Sequence, residues 1–144
     1  MSAGLTLGIV AHRMNNSAGD TEALAVGDGV EIREGRHGRG VFATRAFAEG
    51  DVVEHCPVIE LPGPEVVGRL SDYVFKSTEG DDEVLLVLGF GMLYNHGAPA
   101  NVDYAQETPR TMTFYTLRDV EPGEELTIDY GEEWWQTRGL EPDA

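Results

Sequence analysis

Three short segments carry polar and glycine residues where a plain hydrophobic core has no need of them. The first is Gly38-Arg39-Gly40-Val41-Phe42-Ala43, a Gly-x-Gly turn feeding a strand. Glycines admit positive φ and close approach, so this backbone forms either a plain hairpin turn or a cradle whose amides and carbonyls hold an amino-acid-like ligand. The second runs from Tyr94-Asn95-His96-Gly97 to Asn101. Asn95 and His96 directly follow an apolar stretch, and buried polar side chains must find partners, either each other's surroundings as a structural pair or a ligand. The third is Gly123-Glu124-Glu125-Leu126-Thr127-Ile128-Asp129-Tyr130-Gly131, followed by Trp134-Trp135. Period-two alternation sets Leu126, Ile128 and Tyr130 on one strand face, with Thr127 and Asp129 on the other. Tyr130 thus closes an apolar face, the usual place of a core tyrosine with its hydroxyl at the rim, and the tryptophans could simply close the domain.

The elements that must position these residues read as short strands. Runs rich in β-branched and aromatic residues occupy 30–33, 41–43, 52–54, 58–61, 112–117 and 126–130, and Gly- or Pro-bearing turns separate them. In 121–124, Pro122 and Gly123 stand where a type II turn wants them. Helix signals are sparse. Residues 65–78 place Val66, Val67, Leu70, Val74 and Phe75 at near-helical spacing, weakened by Gly68, and 89–97 can hold one or two further turns. Residues 1–27, rich in Ala, Gly, Asn and Ser without periodicity, read as a flexible N-terminal tail. The pattern predicts a mostly-β single domain.

Composition narrows the function. A chain of 144 residues and 15.7 kDa has room for one domain. Lys+Arg of 10 against Asp+Glu of 26 gives a net charge of −16, which repels phosphate backbones and anionic lipids and argues against direct nucleic-acid or membrane binding. Lys76 is the only lysine. Cys56 is the only cysteine, so no internal disulfide and no cysteine-based zinc site is expected. The longest apolar runs, 84–88 and 5–11, are far shorter than the roughly 20 residues of a membrane span. No basic residue precedes the N-terminal apolar stretch, so a signal peptide is not expected and an intracellular location, cytoplasmic or nuclear, is.

In their order and spacing, the three segments resemble the SET-domain protein lysine methyltransferases. Arg39-Gly40-Val41-Phe42-Ala43 is similar to the family's N-terminal cofactor motif, Asn95-His96-Gly97 with Asn101 to its Asn-His motif, and the 123–131 segment to its C-terminal catalytic motif. The resemblance covers residues 28–136, leaving 1–27 and 137–144 as tails. In length, and in Gly89-Phe90-Gly91 ahead of Asn95-His96, the chain looks most like the short stand-alone viral and bacterial members. Pro99 stands one place earlier than in the family's usual Pro-Asn pair.

The resemblance implies a fold of several small β-sheets with few short helices, its C-terminal motif passing through a loop as a pseudoknot. It implies S-adenosylmethionine as cofactor and a basic, lysine-containing protein as substrate, histones included, on opposite faces joined by a narrow lysine channel. By that likeness, backbone at Gly38, Arg39 and Gly40 binds the methionine part of the cofactor, and Asn95 and His96 contact it near its amino-acid and adenine ends. Tyr130 matches the catalytic tyrosine. Tyr104 falls where members carry an aromatic that lines the channel and influences how many methyl groups are added, and Tyr73 resembles another channel aromatic. The chain lacks the cysteine-rich zinc segments of many chromatin members, so Trp134 and Trp135 are expected to cover the adenine and the channel mouth. The similar viral proteins act as dimers, which leaves a homodimer open. Glu124, Glu125, Asp129, Glu132 and Glu133 either attract a basic substrate or form ordinary solvated surface. A non-catalytic module that binds cofactor or a basic partner is the competing reading, against which the complete set Asn95, His96 and Tyr130 argues.

Overall fold

The computed structural model describes residues 24–26, 28–78, 80 and 82–142. The β-branched and aromatic runs fold into ten strands: β1 (Leu24–Val26), β2 (Val30–Gly35), β3 (Gly38–Ala43), β4 (Val52–Pro62), β5 (Phe75–Lys76), β6 (Glu83–Val87), β7 (Asn95–His96), β8 (Val102–Thr108), β9 (Thr111–Thr116) and β10 (Glu125–Ile128). They form two five-stranded sheets, ordered β1-β2-β3-β10-β7 and β5-β6-β4-β9-β8. Alternation decides which side chains enter the core. On β10, Leu126 and Ile128 are buried while Glu125 and Thr127 face the other way, as period two requires. One apolar cluster draws on both sheets, with Val41, Phe47, Leu85, Phe114, Val120 and Leu126 fully buried.

The placement of β10 builds the site. It lies between two strands distant in sequence, antiparallel to β3 (Leu126↔Val41) and parallel to β7 (Thr127↔Asn95, Ile128↔His96). The 121–124 turn that delivers it is type II as expected: Gly123 has φ +91, and the Glu124 amide donates to the Glu121 carbonyl at 3.2 Å. Asn101, 3 % exposed, binds β10 like a strand edge, donating from Nδ2 to the Glu125 carbonyl (2.9 Å) and accepting the Thr127 amide on Oδ1 (2.8 Å).

Several local expectations are corrected. The helix expected over 65–78 is instead two 3₁₀ turns, Gly63–Glu65 and Gly68–Asp72, followed by β5, because Val66 and Val67 are extended and Gly68 takes φ +70. The separate strands expected at 52–54 and 58–61 are one strand, β4, which pairs with β9 as far as Pro57 and with β6 from Val58 onward. A C-terminal helix not foreseen in the sequence, α1 (Glu132–Arg138), carries Glu132 and Glu133 in its first turn and Arg138 in its last, complementing the helix dipole. In 89–97 a single 3₁₀ turn forms, at Gly91–Leu93. Of the expected N-terminal tail, Leu24–Val26 pairs with β2, and residues 1–23 lie outside the described residues.

Candidate active site

Where β7 meets the end of β10, three consecutive residues each hold a different part of the site. The Tyr94 carbonyl accepts the Tyr130 hydroxyl at 3.0 Å. The Asn95 amide nitrogen donates to the Arg39 carbonyl at 3.0 Å and to Glu125 Oε2 at 2.8 Å. His96 Nδ1 accepts the Tyr130 backbone N–H at 3.1 Å, so Nδ1 carries a lone pair and the neutral ring bears its proton on Nε2. The 3.8 Å approach of Asp129 to the same nitrogen is therefore proximity rather than an ion pair. Parallel pairing of β7 with β10 sets up all three contacts.

Close approach explains Gly40. A Cβ there would lie 2.8 Å from Asn95 Nδ2 and against the Glu125 carboxylate, so only glycine lets the Arg39-Gly40 backbone meet that pair. Gly38 closes the β2-β3 hairpin opposite Gly35. The plain-hairpin and ligand-cradle readings of this turn thus describe the same backbone: it is a hairpin, and its edge abuts Asn95.

Two cavities share a waist at Tyr130. The larger, of about 530 Å³, is lined by Tyr104, Phe75 and Trp134 among others; the smaller, of about 250 Å³, by His37, Arg39 and Leu93. Tyr73, Met92, Tyr94, Asn95 and Tyr130 line both. Tyr104 meets Phe75 edge-on at 4.9 Å. Trp134 lies 4.8 Å from the Tyr130 ring. Trp135 instead lies outside the cavity lining, 5.0 Å from His96 and 5.9 Å from Tyr130, and its buried Nε1 has no partner among the described residues. Over the larger cavity α1 is clasped to the 68–76 segment. Arg138 donates to Asp72 Oδ1 (2.8 Å) and the Ser71 carbonyl (2.9 Å) and stacks on Trp134 at 4.2 Å, while Lys76 pairs with Glu133 at 2.8 Å.

Burial sets the protonation of the tyrosines. Desolvation first, and then the neighbouring Tyr73 and Glu125, push the Tyr130 hydroxyl up to about 12. Tyr104 is raised by burial and by Asp103 and Asp129. Both hydroxyls are neutral at physiological pH.

A waist of aromatic rings between two cavities thus stands beside an Asn-His pair and a glycine turn. The SET domain family model matches residues 38–131. The chain belongs to the SET-domain protein lysine methyltransferase family. It is 33 % identical over 113 residues to a histone-lysine N-methyltransferase of Schizosaccharomyces pombe described as specific for H3 lysine-37, covering 74 % of this chain and 76 % of that protein. A crystal structure of a Plasmodium falciparum protein described as a histone methyltransferase matches with TM-score 0.64 and 28 % identity, over 76 % of this chain and 99 % of the other. These relatives are fungal and protozoan rather than viral or bacterial.

In a SET domain the cofactor is S-adenosylmethionine, and the residues present fit it. Arg39 and His37 beside the smaller cavity suit a carboxylate, and the aromatic rings of the waist suit a sulfonium and an adenine. Of the SET-domain positions read from the sequence, Arg39, Tyr73, Asn95, Tyr104, Tyr130 and Trp134 line the cavities, whereas Gly38, Gly40, His96 and Trp135 do not. Sequence reasoning assigned no role to Tyr94 or Met92, and marked Glu125 only as one of an acidic cluster. For Tyr94 the only signal was its place directly ahead of Asn95.

Proposed function

We propose that this SET domain transfers methyl groups from S-adenosylmethionine to a lysine side chain of a histone or histone-like basic protein. The observation that carries the reading is the Tyr130 hydroxyl, fixed by the Tyr94 carbonyl at the waist that joins two cavities. When bound, S-adenosylmethionine supplies an electrophilic methyl on a sulfonium. The chain's own work is to align a lysine amine with that methyl and keep the amine unprotonated. Lysine has a solution pKa near 10.4, and a desolvated aromatic channel disfavours its charged form. Tyr73, Tyr104 and Tyr130 supply such walls. With its proton committed to the Tyr94 carbonyl, the Tyr130 oxygen keeps lone pairs free to accept from the amine. A neutral Tyr130 favours electrostatic positioning over a tyrosinate base.

In this reading the backbone at Gly38, Arg39 and Gly40, with Asn95 and His96, holds the cofactor, and Trp134 and Trp135 cover it. The net charge of −16 suits a substrate that is itself basic. A nuclear or other intracellular location goes with a histone substrate. The likeness to short viral members, and the homodimer that would go with it, rests on Gly89-Phe90-Gly91 ahead of Asn95-His96. The test is incubation with isotope-labelled cofactor and a panel of core histones, followed by mass spectrometry. Label on histone lysines is expected. Cofactor binding without transfer to any substrate would favour the non-catalytic module, and modification of arginines alone would contradict the reading.

A further inference from the structure

Tyr94 presents its carbonyl to Tyr130 and its hydroxyl to the opposite sheet. That hydroxyl donates to Glu54 Oε1 at 2.8 Å. Glu54 lies on β4, whereas Tyr130 follows β10 in the other sheet, so one residue bridges the two. The Tyr94 ring is 2 % exposed and stacks on Phe114 with centroids 4.6 Å apart and planes 12° from parallel. The second carboxylate oxygen, Glu54 Oε2, accepts the Phe90 N–H at 3.4 Å, immediately ahead of the 3₁₀ turn that leads into Tyr94. The ring is thus fixed at its face by Phe114 and at its tip by Glu54.

Packing alone does not call for this hydroxyl, since a phenylalanine would stack on Phe114 equally well. A buried hydroxyl is tolerated only with an acceptor, and the carboxylate provides one. The consequence falls on the backbone. The fixed ring anchors the Tyr94 Cα, and the carbonyl attached to that Cα receives the Tyr130 hydroxyl at 3.0 Å.

We propose that Glu54 is a positioning residue for methyl transfer, acting through the Tyr94 ring to fix the carbonyl that orients the Tyr130 hydroxyl. The inference rests on the methyltransferase reading above. In-line transfer is sensitive to placement, with a misplacement of about 1 Å able to cost on the order of 100-fold in rate. Loss of the Glu54–Tyr94 bond shifts the carbonyl by less than that, so a loss of about 10-fold is expected.

The test uses Tyr94→Phe, Glu54→Ala, their double variant and Glu54→Gln in the full chain, with two readouts. The first is steady-state methylation of a histone that the wild type modifies. Tyr94→Phe and Glu54→Ala should each lower kcat about 10-fold, leaving KM for the histone and Kd for the cofactor within about twofold. The double variant should lose no more than Glu54→Ala alone, because Glu54→Ala already removes the bond that Tyr94→Phe removes, together with the Phe90 contact. Glu54→Gln keeps an acceptor oxygen and should retain most of the rate. The second readout needs no turnover: in ligand-free protein labelled with [13Cζ]tyrosine, the Tyr130 resonance, assigned by its absence from Tyr130→Phe, should shift in Tyr94→Phe and Glu54→Ala but not in Glu54→Gln. An unchanged kcat and resonance in Tyr94→Phe, or losses that multiply in the double variant, would overturn the proposal. A wild type inactive on every histone would remove the methyltransferase reading instead, and the resonance would still decide whether Glu54 governs Tyr130. If Glu54→Ala does not fold, Tyr94→Phe and Glu54→Gln decide alone.

Discussion

The backbone N–H of Tyr130 donates to Nδ1 of His96 at 3.1 Å, which ties the candidate catalytic residue at the end of β10 to the strand paired beside it. The His96 ring also packs against Tyr130 (5.3 Å) and Trp135 (5.0 Å), so it serves as both acceptor and packing surface. His96→Ala leaves a part-buried N–H without its acceptor and removes one ring from the aromatic cluster of Tyr130, Trp134 and Trp135. We expect a stability loss of about 1–3 kcal/mol and cofactor binding weakened about 10-fold or more. Urea unfolding and calorimetry check the two parts separately.

Gly40→Ala should be more damaging than its single methyl suggests. The new Cβ would press on Asn95 Nδ2 at 2.8 Å and on the Glu125 carboxylate, so these side chains must shift and the Asn95 bridge to Arg39 is disturbed. Expected is loss of measurable S-adenosylmethionine binding by calorimetry in a protein that still folds by circular dichroism.

Alkaline pH should act through Tyr130. Its hydroxyl is raised to about 12, so the fold favours the neutral form. Stability from this group is complete below the free tyrosine value near 10 and is lost as pH rises through the folded value. Wild-type stability should therefore decline between about pH 10 and about pH 12 more steeply than that of Tyr130→Phe. In the methylation rate, no inflection due to Tyr130 is expected between about pH 7 and about pH 10. Chemical denaturation and a pH–rate profile measured on both proteins decide these points.

Arg138 should control closure of the larger cavity. It is held by Asp72 and the Ser71 carbonyl and covers Trp134, so Arg138→Ala loosens α1 on the 68–76 segment, leaving the Lys76–Glu133 pair as the main remaining tie. We expect a red shift of tryptophan fluorescence and a KM for substrate raised severalfold, with little change in kcat. Arg138→Lys should not restore the wild-type values, because lysine offers neither the planar stack nor the fork.

Much of this site was legible in the sequence because its signals are local. Tyr130 and the alternation of β10 stand within one run of residues, and the Pro122-Gly123 turn announces its own geometry. Other features depend on partners far along the chain. Pro57 reads as a break between two strands, yet β4 continues through it because pairing passes there from β9 to β6. The helix signal over 65–78 failed at 66–68, where Val66 and Val67 are extended and Gly68, at φ +70, starts a separate 3₁₀ turn. α1 has only seven residues, too few for a periodic pattern, and its tryptophan pair reads as core. The Glu54–Tyr94 bond joins residues on different elements, and no local pattern marks it.

The central claim is that the Tyr130 hydroxyl, held at the waist between two cavities, positions the reacting amine. Its most direct test is the single-turnover rate of histone lysine methylation by Tyr130→Phe, measured with cofactor affinity. The account predicts a fall of at least ~100-fold with the affinity for S-adenosylmethionine retained within a few-fold. A near-normal rate in Tyr130→Phe would contradict it.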